Sequence, residues 1–163
     1  MTAISKEAFL NCAKLTDIVY DANYTLDTIG ENSFANCTSL TTFDIPSTLK
    51  PRDENQGFIK NPFFGCTALL NFTNYSPNVN NLVVSNGIIF EKTVSFEGTQ
   101  LYAIYAYPTG RGDEYEVATN VTEINDYAFY GSRITSIFFT QATPEPTREL
   151  ITLVKIGSYA FAS

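Results

Sequence analysis

The chain has 163 residues, 44% of them apolar and 17% charged, a balance that suits one folded domain and not a disordered segment. Ten Lys and Arg stand against seventeen Asp and Glu, and the net charge of −7 argues against nucleic acid and anionic membrane as partners. There is no histidine, which excludes Ser-His-Asp and Cys-His catalysis and His-ligated metal sites; there is no tryptophan, so the large core side chains are the 13 Phe and 10 Tyr.

Met1 to Leu15 carries Lys6 and Glu7 inside its apolar pattern, so it reads as folded structure and not as a signal peptide. It opens a repeat. Ile4-x-x-x-Ala8-Phe9-x-x-Cys12-x-x-Leu15-x-x-Ile18 recurs as Ile29-x-x-x-Ser33-Phe34-x-x-Cys37-x-x-Leu40-x-x-Phe43 and as Phe58-x-x-x-Pro62-Phe63-x-x-Cys66-x-x-Leu69-x-x-Phe72. A fourth copy, Ile124-x-x-x-Ala128-Phe129-x-x-Ser132, continues to Ile134 and Ile137, and a fifth starts at Ile156-x-x-x-Ala160-Phe161 and stops at Ser163. A second apolar slot precedes the first by three residues at Leu26, Val121 and Leu153, with Asn55 there in the third copy. Period repetition of this kind marks a stacked architecture.

Within a unit, the Ala-Phe-x-x-Cys piece has near-helical spacing and predicts a short helical turn. Ser5 is placed to cap it over residues 6–12, and Asn32 or Ser33 to do so in the second copy. The second half predicts a short strand, at Leu15–Tyr20, Leu40–Ile45, Leu69–Asn74 and Ile134–Phe139, where β-branched and aromatic residues gather. One unit cannot bury its own Leu, Ile and Phe; stacked units bury them in a continuous column. The expected fold is mainly β with short helical turns, a parallel solenoid over residues 1–163 with one strand per coil.

Residues 80–120 break the period, since Phe63 and Phe129 lie 66 positions apart. Val83-Val-Ser-Asn86-Gly87-Ile-Ile-Phe90 predicts a hairpin about Asn-Gly. Val94–Gly98 and Leu101–Tyr105 predict further strands, so the insertion reads as a small antiparallel sheet continuing the solenoid wall. Leu101–Tyr107 is among the longest apolar runs and is far too short to span a bilayer. Pro46–Gly57 and Thr143–Glu149 read as polar loops.

The phrase from Ile29-Gly30 through Ser33-Phe34-Ala35-Asn36-Cys37-Thr38-Ser39-Leu40 to Ile45-Pro46, and its echo Ile124-Asn-Asp-Tyr127-Ala128-Phe129-Tyr130-Gly131, resemble the BspA-like, Treponema-type leucine-rich repeats. The resemblance covers nearly the whole chain. It implies a right-handed leucine-rich-repeat solenoid, a cell-surface or secreted location, a role in adhesion or protein binding, and no enzymatic activity. A hairpin followed by a turn such as Tyr107-Pro108 also resembles an insertion of that family.

Several motifs carry competing readings. Cys12, Cys37 and Cys66 share one slot without C-x-x-C spacing, and Ser132 fills it in the fourth copy; this favours an inward ladder of small side chains over a redox or metal cluster. Arg111-Gly112-Asp113 spells the integrin tripeptide, against a plain turn after Tyr107-Pro108. Asp113, Glu114 and Glu116 lack the EF-hand pattern, Gly110-x-Gly112 lacks the phosphate-loop context, and Glu145 and Glu149 are too isolated to read as an acid/base pair. Asn23, Asn36, Asn71, Asn74 and Asn120 begin sequons, and Asn36 and Asn71 lie next to core slots, which speaks against glycans there.

The functional expectation is a non-catalytic binding module for a protein or glycan ligand. The alternatives are a carboxylate-based hydrolase, which a pocket holding two facing carboxylates would favour, and a structural spacer. No residue is assigned to catalysis, a cofactor or a metal. If Phe43 points inward, period-2 alternation turns Thr42 and Asp44 outward, with Asp17 and Val19, Asn71 and Thr73, and Ser136 and Phe138 as equivalent pairs in two columns. The fifth copy stops mid-unit, so the chain is expected to be a fragment or to associate end to end through its last repeat.

Overall fold

The computed structural model describes residues 2–21, 24–53, 55–74, 78–95, 98–139, 153 and 155–162. Among them are β1 (Ala3–Ile4), β2 (Thr28–Ile29), β3 (Thr42–Asp44), β4 (Gly57–Phe58), β5 (Asn71–Thr73), β6 (Leu82–Ser85), β7 (Ile88–Val94), β8 (Gln100–Ala106), β9 (Glu114–Val117), β10 (Val121–Ile124), β11 (Ser136–Phe139) and β12 (Lys155–Ile156). Phe96 and Glu97, the Thr143–Glu149 loop with Glu145 and Glu149, and the Asn23 sequon lie outside the described residues.

The repeats lay short strands on two walls. On the first wall β1, β2 and β4 pair in parallel, with Ile4 opposite Ile29 and Ile29 opposite Phe58. On the second wall β3 pairs β5 with Phe43 opposite Phe72, and β9 pairs β11. The Phe slots stack between the walls. Phe9 lies 5.1 Å from Phe34 and Phe34 5.4 Å from Phe63, with rings nearly parallel; Phe129 and Phe161 repeat this at 4.9 Å. Phe34 and Phe63 with Leu26, Leu40 and Leu69 form a core sealed from water, while Phe9 and Phe161 at the ends of the stacks are partly exposed; this burial is what holds units this small together.

The expected helical turns are corrected to chains of tight turns: no described residue is helical. The reason lies in where the amide hydrogens go. Ala8, Leu10 and Cys12 donate to the carbonyls three residues back, Ser5, Glu7 and Phe9, while Glu7, Phe9 and Asn11 donate across to Glu31, Ser33 and Ala35 of the next repeat. A helix would spend every amide inside its own turn. Here alternate amides tie neighbouring repeats together, and Glu7, Asn11, Asn32, Asn36 and Tyr127 take positive φ to aim them. Neither Ser5 nor Ser33 acts as a side-chain cap: Ser5 contributes its carbonyl, and the Ser33 hydroxyl is buried without a partner among the described residues.

A second correction concerns residues 15–20, which form no strand. Leu15 and Ile18 still pack on the core, but Tyr20 stands edge-on to Phe43 at 6.3 Å and stacks on Tyr24 at 5.8 Å. Rings at this position hold the backbone off β3, beyond the spacing of a ladder.

The insertion forms its hairpin, with Asn86 and Gly87 both at positive φ between β6 and β7. β7 pairs antiparallel with β8, β8 then pairs in parallel with β10, and β10 with β12; among the described residues this five-stranded sheet is separate from the β1–β2–β4 sheet. Residues 104–117 are moreover a shortened repeat that the spacing rule misses. The residue after each repeat start donates to the preceding start: Gly30 to Ile4, Ile59 to Ile29, Asn125 to Ile104, Gly157 to Ile124. Tyr107, 4.8 Å from Phe129 and stacked on it, stands in the Phe slot.

Candidate functional site

The second wall shows the alternation of a half-buried sheet. Phe43 and Phe72 are 1% and 2% exposed, Thr42 and Asn71 are exposed, and Asp44 and Thr73 are half-buried. Register sets Thr42 beside Asn71 and Asp44 beside Thr73, whose hydroxyl donates to Asp44 Oδ1 at 3.2 Å. Because residues 15–20 stand off β3, a groove of about 440 Å³ opens between the first two repeats. It is lined by Asp17, Val19, Thr42, Asp44 and Thr73, together with Tyr20, Asp21 and Tyr24. Val19 is 90% exposed at its rim. The Tyr20 hydroxyl is buried without a hydrogen-bond partner among the described residues; burial first, and the Asp44 charge second, push its ionisation far up, so it remains a proton donor.

Ser136 and Phe138 do not join this groove. They sit on β11 opposite Glu114 and Glu116 of β9, and the Phe72 amide donates to Gly87, so the hairpin turn interrupts the columns between Asn71 and Glu114. Phe138 is 50% exposed and Phe139 47%. Tyr20, Asp21 and Tyr24 are not among the expected outward residues: Tyr20 falls on the inward phase of the expected strand, and Asp21 and Tyr24 lie past it.

A second cleft, of about 640 Å³, lies where β4 and β8 fail to pair, and sequence spacing gave no sign of it. Arg52 lies against it between the Tyr105 and Tyr127 rings, donating from Nη1 to Lys60 O and from Nη2 to Tyr105 O at 3.2 Å. Glu91, Glu123 and Asp126 line it too. Burial, with help from the Glu123 charge, raises the Glu91 pKa, against the Asn125 Nδ2 hydrogen bond at 3.2 Å. Glu123 pairs with Lys155 at 3.8 Å.

Stacked parallel strands, a Phe column and inter-repeat amides are the anatomy of a leucine-rich repeat. The model of the BspA type leucine rich repeat region, six copies, matches residues 2–58 and 58–163. The chain belongs to this family. Its fold is similar to that of the pneumococcal vaccine antigen PcpA, with a TM-score of 0.69 at 21% identity over 99% of this chain and 35% of that one. A leucine rich cell surface protein from Faecalibacterium prausnitzii A2-165 aligns with a TM-score of 0.45, at 21% identity over 98% of this chain and 48% of that one. The chain thus spans about a third to a half of the length of these structures. No curated protein matches it.

The other motifs take their places on the BspA type scaffold. Cys37 and Cys66 are buried, their thiols donating to Phe9 O at 3.3 Å and Phe34 O at 2.9 Å, whereas Cys12 is exposed. Arg111 and Asp113 are turned on each other and the wall: Arg111 Nη2 donates to Asp113 Oδ2 at 2.9 Å and Nη1 to Asn86 O at 2.9 Å, and the Tyr107 hydroxyl donates to Asp113 Oδ1. Burial opposes ionisation of Asp113, but these hydrogen bonds outweigh it and lower its pKa. Glu114 and Glu116 point out from β9, and Gly110 is needed because a Cβ there would lie 2.7 Å from the Leu69 backbone. Asn36 and Asn71 are both exposed beside the buried Cys37 and Phe72, Asn36 at a left-handed turn with its Nδ2 donating to Asn11 Oδ1 at 2.9 Å and Asn71 on the outward phase of β5. Asn74 and Asn120 are half-buried.

Proposed function

We propose that the chain is a non-catalytic binding or adhesion module of a cell-surface or secreted protein, a right-handed solenoid over residues 1–163 that takes a protein or glycan ligand in the groove between its first two repeats. One observation carries this reading: Asp17, Val19, Thr42, Asp44 and Thr73, from three different repeats, line a single groove. Its volume lies within the range of ligand clefts. Family membership supports a binding scaffold and a surface or secreted location, and the fold shared with a vaccine antigen is in keeping with both. Among the described residues no helix is long and apolar enough to cross a membrane.

The test is an array of host-surface proteins and glycans probed with the wild-type protein, then with Val19→Arg and with Phe138→Ala. Val19→Arg obstructs the groove and abolishes capture at unchanged Tm, while Phe138→Ala leaves it intact. Equal loss in both variants, or loss only in Phe138→Ala, moves the site to β11.

A second reading is favoured by Glu91 and Glu123, two carboxylates that line one cleft. Glycosidase activity that disappears in Glu91→Gln while groove binding persists would establish it.

A further inference from the structure

Among the described residues β3 is an edge strand, since its sheet has two members, β3 and β5. The Leu70 amide donates to Thr41 O and the Ile45 amide to Thr73 O, so the odd-numbered peptide groups of this segment serve β5. The peptide groups of Thr42 therefore face the opposite edge, along the groove. Across the groove residues 15–20 offer no ladder to that edge. An open edge in a cleft is the geometry into which an extended segment adds as a further strand.

Charge decides which segment. Three carboxylates, Asp17, Asp21 and Asp44, surround the groove, and among the described residues that line it there is no Lys or Arg. The larger cleft differs, since Arg52, Lys60 and Lys155 stand among its acids. Val19 and the Tyr20–Tyr24 stack supply apolar surface for the aliphatic stems of long basic side chains.

Resting on the groove reading above, the geometry points to a protein partner that binds through an extended, lysine- or arginine-bearing segment paired in parallel or antiparallel with β3. Its main chain bonds the Thr42 edge. Alternate basic side chains meet the Asp17, Asp21 and Asp44 carboxylates, and the intervening side chains rest on Val19 and Tyr24.

The probes are a fluorescein-labelled hexapeptide of alternating lysine and valine, its glutamate–valine counterpart, and a lysine–valine version N-methylated at alternate nitrogens. Anisotropy reads affinity and amide NMR reads Thr42. The lysine–valine peptide binds, weakens with salt, shifts the Thr42 amide, and loses about tenfold in affinity to the double variant Asp17→Asn/Asp21→Asn. The N-methylated and acidic peptides do not bind. Equal binding of the acidic or N-methylated peptide, an unchanged double variant, or no binding of the lysine–valine peptide overturns the proposal. If Val19→Arg still abolishes capture on the array while the lysine–valine peptide fails, the groove stands and the basic strand falls.

Discussion

The hydroxyl of Tyr105 accepts the amide of Phe58 at 2.7 Å and donates to Lys50 O at 3.1 Å. It does so where the first wall breaks, since β4 has β2 on one side and, among the described residues, no strand on the other. A single phenol thus takes the place of the next strand. Arg52 works beside it, satisfying Lys60 O and Tyr105 O across the same gap. Two side chains bridge the ladder that the insertion leaves open, and the larger cleft is the space that remains.

Tyr105→Phe keeps the ring and removes both hydrogen bonds. Leaving the Phe58 amide buried and unmade costs about 2–3 kcal/mol. At this chain length that lowers Tm by roughly 4–12 °C. Thermal unfolding measures the loss, and hydrogen exchange shows the Phe58 amide deprotected while the Phe34 amide is not.

Gly57→Ala is destabilising by a separate route. A Cβ there would lie 2.4 Å from the Tyr105 hydroxyl and 2.5 Å from Lys50 O, at a φ of +69°. Strain and collision together cost more than about 2 kcal/mol. Gly98→Ala, with nothing within 4 Å, is the milder control in the same unfolding assay.

Thiol titration with a chromogenic disulfide under native conditions labels Cys12 rapidly and spares Cys37 and Cys66. Cys12 is exposed; burial raises the Cys37 thiol and pushes Cys66 up to about 12, leaving little thiolate to react. Cys12→Ala removes the fast phase, and all the remaining thiol appears only on unfolding.

Glu91 gives a pH dependence of definite sign. Its folded pKa is raised above the ordinary 4.5, so the folded state holds the proton more tightly than the unfolded one. Stability from this group is full below the unfolded value and declines as pH rises through the raised folded value. Glu91→Gln therefore stabilises the protein at neutral pH, keeps an acceptor for Asn125, and loses its advantage as pH falls below about 4.5. Unfolding midpoints of the two proteins across this range check the sign.

The repeat was legible from residue spacing because each slot meets the same neighbours. Ile, Phe and Cys at fixed intervals had to stack, and the Asn86–Gly87 hairpin followed from the one turn type its twist allows. The conformation between the slots was not legible. Near-helical spacing at Ser33-Phe34-x-x-Cys37 also fits successive tight turns, and inter-repeat hydrogen bonds, invisible in one repeat, chose between them.

The outward phase of Thr42, Asp44, Asn71 and Thr73 came from the sequence, since side-chain alternation is a local property of a strand. Whether those residues form one site is not local. Tyr20 and Tyr24 hold residues 15–20 off β3 and open the groove, while the hairpin turn places Ser136 and Phe138 in another sheet. The shortened repeat at Ile104 and the Tyr105–Phe58 hydrogen bond belong to the same class: they join residues 20 to 50 positions apart, and only packing brings such partners together. The sequence by itself determined which positions face the stack, through periodicity; tertiary structure alone decided where the stack breaks, and the breaks are where the clefts lie.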